Sequence, residues 1–182
     1  MKTFKYLLSL LFMAGATLGF TACGDDDSDP AGGSTGKDVS AVYTIQVEVS
    51  EDMLDVMDLT LHHTYADGRV EDVPLTGTTY STTIQATQFP AVVGSTLTAT
   101  PKVEPVAKEK YNLTCKFEAS MQAVDSKGNK RGIGAASSVT KQTNGVKSEK
   151  LQTWLDSNLP KLNAFNAMYT LTKENGTIVA TK

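Results

Sequence analysis

The stretch from Tyr111 to Ala123 limits the possible folds more than any other part of the chain. Tyr111, Leu113, Cys115, Phe117, Ala119, Met121 and Ala123 alternate with Asn112, Thr114, Lys116, Glu118, Ser120 and Gln122. Successive side chains of a strand point to opposite faces, so this order makes one apolar and one polar face. Wound as a helix, the same residues would spread around the whole circumference. The segment is expected to be the longest strand and a central one. Asp125-Ser126-Lys127-Gly128-Asn129 supplies a turn after it, and Arg131 to Thr140 is expected to return as a weak strand.

The same period of two recurs upstream. Tyr43, Ile45, Val47 and Val49 alternate with polar residues, and Met57, Leu59, Leu61, His63 and Tyr65 share a face opposite Asp58, Thr60, His62 and Thr64. Asp67-Gly68 marks a hairpin turn, and Val70 to Leu75 is its return strand, which Pro74 confines to an edge or a strand end. Thr78 to Thr87 and Val92 to Thr100 read as further strands, with an extended connector around Pro101 and Pro105. Asn175-Gly176 joins a last hairpin from Ala167 to Ala180.

Only one segment breaks the pattern. After Gly145, Leu151, Trp154, Leu155 and Leu159 fall at helical spacing, with Ser148 as the expected cap and Pro160 as the expected stop. About eight strands and one short helix without βαβ alternation predict an all-β fold, a two-sheet antiparallel Greek-key sandwich of immunoglobulin-like type. A small closed β-barrel is the alternative. No cysteine pair brackets a strand tryptophan, so the architecture is expected without the immunoglobulin family itself.

The residues that could carry chemistry are few. His62 and His63 are the only histidines, and as strand neighbours they face opposite ways, so they cannot share one metal ion. No Gly-x-Ser-x-Gly elbow occurs, and Gly132-Ile133-Gly134-Ala135-Ala136-Ser137 lacks the last glycine of a dinucleotide fingerprint. Cys115 has apolar parity and reads as a small buried hydrophobe. Tyr43, Tyr65, Tyr80, Tyr111 and Trp154 all carry core parity, which leaves few rings for a sugar platform. Lys127, Lys130 and Arg131 cluster beside a turn and read as a solvated hairpin tip. No catalytic residue, metal site or cofactor is expected, and no ligand-binding residue is assigned.

The first 22 residues have the layout of a secretory leader: Lys2 and Lys5, an apolar run from Tyr6 to Phe20, then the small pair Thr21-Ala22 directly before Cys23. The apolar run is shorter than the roughly 20 residues that span a bilayer. In this arrangement the chain resembles a bacterial lipoprotein precursor, although Phe20 stands where that family usually has leucine. The resemblance implies lipidation of Cys23 and cleavage before it. The following Gly24-Asp25-Asp26-Asp27 is similar to the export signal of surface-exposed lipoproteins of the Bacteroidota, in which Asp25, Asp26 and Asp27 would direct display at the cell surface of the outer membrane.

The expected organisation is a signal peptide at 1–22, a lipidated cysteine with a flexible acidic and Gly/Ser tether at 23–38, and one sandwich domain at 39–182. Loss of Lys2 and Lys5 with the leader takes the basic residues from 17 to 15 against 20 acidic ones, and no long basic run remains, which argues against a nucleic-acid partner. The partners implied are the membrane, through N-terminal acyl chains, and a glycan or envelope protein. The function expected is a non-catalytic binding or structural module rather than an enzyme. A fimbrial or adhesive subunit and a small envelope glycan hydrolase are the alternatives.

Overall fold

A computed structural model describes residues 36–182. Cys23 and the acidic triplet Asp25, Asp26 and Asp27 lie outside the described residues. Ten strands follow one another: β1 (Asp38–Val49), β2 (Met57–Thr64), β3 (Val70–Pro74), β4 (Thr79–Ala86), β5 (Ala91–Pro101), β6 (Lys110–Asp125), β7 (Lys130–Gly132), β8 (Ser137–Lys147), β9 (Asn166–Glu174) and β10 (Thr177–Thr181). Helix α1 (Glu51–Val56) joins β1 to β2, and helix α2 (Leu151–Asn163) joins β8 to β9. All pairings are antiparallel. One sheet runs β4-β1-β6, with β7 and β8 both on the far side of β6, and the other runs β10-β9-β5-β2-β3. The chain passes between the sheets at β1–β2, β3–β4, β4–β5, β5–β6 and β8–β9, and neither sheet closes into a barrel. The fold is the expected two-sheet sandwich.

The alternation that dominates the sequence explains the packing. β6 is the longest strand, 16 residues, and its Leu113, Cys115, Phe117 and Ala123 are wholly buried. From Ala41 to Val49 of β1 it pairs in unbroken register, which puts Tyr43 opposite Met121 and Val47 opposite Phe117 on the same inward face. The other sheet answers with Leu59, Leu61, Leu97, Tyr169 and Leu171. Tyr43 of β1 meets Tyr169 of β9 with ring centroids 6.1 Å apart, and Phe117 meets Phe165 at 5.6 Å, both tilted as the ring quadrupoles favour.

Three details depart from the expectation. The weak return strand from Arg131 to Thr140 is two pieces. β7 is a three-residue spur, and the main strand, β8, starts at Ser137 and runs on to Lys147. Ser148 does not cap α2, since Ser148–Lys150 forms a 3-10 turn and the helix begins at Leu151 without a side-chain cap. Nor does Pro160 stop the helix, which continues to Asn163. A proline inside a helix costs about 3 kcal/mol. What offsets it lies just beyond: Leu162 is wholly buried, and Asn163 pairs with the backbone of Ala99, accepting its N–H at 2.6 Å and donating to its carbonyl at 3.2 Å. The side-chain amide thus takes the place of a strand where β9 stops pairing with β5 at Thr96.

Helix α1 is too short to leave a periodic trace. Its start is nevertheless written locally: Ser50 Oγ accepts the Met53 N–H at 3.2 Å, with Glu51 and Asp52 in the first turn. Lys108 from the connector before β6 binds both Asp52 and Asp55, and Asp52 also accepts the Asn112 N–H, so the helix is stapled to β6.

At Gly94 the sheet tolerates no side chain. Its φ is +147°, and a Cβ would stand 2.1 Å from the Ala167 carbonyl oxygen. Gly94→Ala is expected to cost about 3 kcal/mol or more, whereas Gly132→Ala, which meets open space at an ordinary φ, should stay within about 0.5 kcal/mol of the parent. Urea midpoints of the two variants measure the contrast.

Candidate functional site

The ladder between β6 and β8 slips by one residue. Tyr111 pairs with Val146 but Leu113 with Thr143, so β8 carries an extra residue at Asn144-Gly145. Gly145 sits at φ +67°, in the left-handed region, and Asn112 Oδ1 accepts its N–H at 3.0 Å. A bulge of this kind bends the strand and re-aims its side chains. Beyond the bulge the chain turns through Ser148–Lys150 into α2, whose apolar side, Leu151, Trp154 and Leu155, folds back onto the sandwich. Trp154 is 8 % exposed, and its indole N–H donates to Thr143 Oγ1 at 2.9 Å.

Between the bulged strand and the helix lies an open groove of about 410 Å³. Thr143, Asn144 and Lys147 line its strand side, Thr153, Trp154 and Ser157 its helix side, and Lys150 the junction. That volume lies at the small end of the range usual for small-molecule sites. The lining is more apolar than polar, and its polar groups both donate and accept. Thr143 Oγ1 accepts the indole N–H and keeps its own proton and a second lone pair for a ligand. Two ammonium groups add to these, and no carboxylate lines the groove.

A second cluster lies on the outward face of the other sheet. His62 Nδ1 is 2.6 Å from Asp72 Oδ1, and Nε2 is 2.8 Å from Thr98 Oγ1. Carboxylate, imidazole and hydroxyl thus stand in the order of a catalytic triad on the neighbouring strands β3, β2 and β5. The surroundings do not suit acyl transfer. Amide N–H groups of a regular ladder lie in the plane of the sheet, so none points out of the face to hold an oxyanion. The three side chains tie the strands together.

His63 faces the other way, into the core, where it is wholly buried. Its Nδ1 is 2.6 Å from Ser95 Oγ and its Nε2 is 2.9 Å from Tyr80 OH, which joins β2 to its own sheet neighbour β5 and to β4 of the opposite sheet. A neutral imidazole donates through one nitrogen and accepts through the other, and both hydroxyls can take either role. Opposite orientation of the two histidines is as the sequence implied. Among the described residues, no three His, Cys, Asp or Glu side chains stand where they could hold a metal ion together.

The remaining sequence candidates serve the fold. Cys115 is wholly buried, and burial pushes its thiol up to about 11, so it stays protonated. Arg131 does not belong to a free basic tip: it binds the buried Asp38 carboxylate at 2.7 Å, and that same oxygen accepts the Ile178 N–H at 2.7 Å. Gly132 ends β7 and Ser137 opens β8, so the glycine-rich stretch is a strand connector closed by Tyr169 OH on the Ala135 carbonyl, at 2.7 Å. Tyr43 and Tyr111 are buried, and Tyr65 and Tyr80 partly so. Sequence reasoning missed Thr143, Asn144, Lys147 and Lys150. The Asn144-Gly145 dipeptide was the available sign, because it favours left-handed backbone.

Burial holds the pKa of His63 below its ordinary 6.5, and Glu71 opposes that shift without cancelling it. The unfolded chain therefore takes up a proton that the folded chain refuses. Stability should be level above about pH 6.5 and fall as the pH drops towards the depressed folded value. His63→Leu is expected to be less stable throughout yet to lose this slope. Urea midpoints between pH 7.5 and 5.5, above the range where carboxylates titrate, read it directly. Compared with known proteins, the chain matches no family model, no curated protein and no solved structure, so the site rests on its own geometry.

Proposed function

We propose that the protein is a lipid-anchored module of the bacterial outer membrane, displayed at the cell surface, that binds a ligand in the groove between β8 and α2 and carries out no chemistry of its own. The observation that carries this reading is the groove itself, a concavity flanked by two lysines and built from a strand bulge and a returning helix. The address comes from the sequence: Cys23 directly after a leader and two small residues, followed by Asp25, Asp26 and Asp27. Acyl chains on Cys23 would be the membrane contact. A single chain anchors only marginally, so stable attachment needs more than one.

A fimbrial or adhesive subunit is the second reading, and one edge favours it. β4 borders its sheet, and its residues from Thr79 to Ala86 include no charge and no proline, the usual guards against strand addition. β3, by contrast, carries Glu71, Asp72 and Pro74. A subunit built on strand addition would form polymers at micromolar concentration, whereas the binding module would remain monomeric in sedimentation.

The anchor is tested in the producing cell. Metabolic labelling with a fatty acid should mark the parent protein, and Cys23→Ala should be unlabelled and lose surface protease sensitivity. An unlabelled parent that is released freely into the medium would end the lipoprotein reading.

A further inference from the structure

We infer that the groove between β8 and α2 selects acidic saccharides: hydroxyl-rich ligands that carry a carboxylate or a sulfate. The inference rests on the binding-module reading above and supplies its ligand class.

Three observations converge on it. Lys147 and Lys150 stand on either side of the turn where the strand passes into the helix, and both line the groove while no acidic side chain does. Glu149 lies between them in sequence, but its carboxylate is 3.9 Å from the Lys147 ammonium with both side chains more than 60 % exposed, a separation and exposure at which the attraction is weak. Lys150 makes no ion pair among the described residues. In a chain whose acidic residues outnumber its basic ones, 20 to 17, this pair of ammonium groups stands out as a local reversal of charge.

The polar groups of the walls are also partly committed in a way that fixes their character. Ser157 donates to the Thr153 carbonyl at 2.8 Å and Asn158 to the Trp154 carbonyl at 2.8 Å, so their oxygens are left to accept hydrogen bonds from ligand hydroxyls. Thr143, which accepts the indole N–H, can still donate its own proton and accept once more. Asn144 is exposed on the bulge and offers both the carbonyl and the N–H groups of its side-chain amide. Donors and acceptors are thus both available on the walls to meet ligand hydroxyls, and the two ammonium groups match a negative substituent on the same ligand. Trp154 is nearly buried, so polar and ionic contacts contribute more to affinity than stacking does. Salt should therefore weaken binding strongly.

The test uses the full chain, purified in detergent, with a galacturonic acid tetramer, a sulfated disaccharide and a neutral galactose tetramer as probes. Binding is followed by calorimetry and by the shift of Trp154 fluorescence, Trp154 being the single tryptophan. An acidic probe should bind at least about tenfold more tightly than the neutral one and lose that advantage in high salt. The double variant Lys147→Gln/Lys150→Gln should lose about tenfold or more at an unchanged melting temperature, while Lys127→Gln/Lys130→Gln, at the distant hairpin tip, should match the parent.

Equal binding of neutral and acidic probes, abolished by Thr153→Trp, would overturn the acidic preference and leave the groove as the site. Equal losses in the two lysine variants would show nonspecific charge attraction and overturn the preference as well. Binding of no probe, or binding indifferent to Thr153→Trp, would overturn both the ligand class and the groove as the binding site of the proposed module.

Discussion

The ladder between β1 and β6 is the interaction on which the rest of the molecule depends. It is the longest uninterrupted pairing among the described residues, running from Ser40 opposite Val124 to Val49 opposite Cys115. Because the side-chain period is two, a slip of β1 by one residue against β6 would turn its Tyr43, Ile45, Val47 and Val49 out to solvent together. Register and core are therefore the same constraint. β1 is also paired on its other side with β4, from Ala41 opposite Ala86 to Glu48 opposite Thr79. With both edges of β1 occupied, the first described strand becomes interior to its sheet. Its entry is fixed too, by Asp38, whose carboxylate takes Arg131 from β7 and the backbone of Ile178 from the opposite sheet.

A sandwich built this way is closed on its inner faces and open at its ends, and the helices serve the ends. Each helix carries one locally unfavourable feature and one tertiary contact that outweighs it. Helix α1 has only six residues, below the length at which a helix holds itself, and Lys108 with the Ser50 cap holds it to β6. α2 contains a proline, and Asn163 on β5, together with buried Leu162, keeps its last turn in place. Two hydrogen bonds contribute about 1 kcal/mol each and a fully buried leucine about 2 kcal/mol, which is comparable with the proline's cost of about 3 kcal/mol. The balance explains why the helix passes through Pro160.

This balance also marks what sequence alone could show. Most strand positions, the opposite facing of His62 and His63 and the two-sheet architecture were legible, because alternation is a local property that burial reads out directly; the split of Arg131–Thr140 into β7 and β8 was not. Pro160 as a stop was a misreading of the same local kind: the term that decides it, Asn163 on Ala99, joins residues 64 positions apart. α1 left no trace because six residues are too few for a period to emerge. The Asp72–His62–Thr98 cluster was equally hidden, since three residues on three strands become neighbours only once the registers of two ladders are known. The groove was illegible for the related reason that a bulge is a mismatch between two strands and belongs to neither sequence by itself.

The bulge explains why a binding site would form where it does. The outward face of a regular sheet is flat, and its backbone amides are spent sideways in the ladder, so polar side chains on it bind one another, as His62, Asp72 and Thr98 do. Concavity requires the ladder to break. In the β6–β8 pairing it does so at Asn144-Gly145, one strand turn before the chain leaves the sheet for α2. The extra residue bends the strand while the indole bond from Trp154 to Thr143 holds the helix close, and the groove lies between the two. Lys147 and Lys150 lie at the joint of that wedge. The residues that shape the groove and those that charge it are thus within fifteen positions of one another, from Thr143 to Asn158, so this short segment can change its ligand without disturbing the alternating rows that hold the sandwich together.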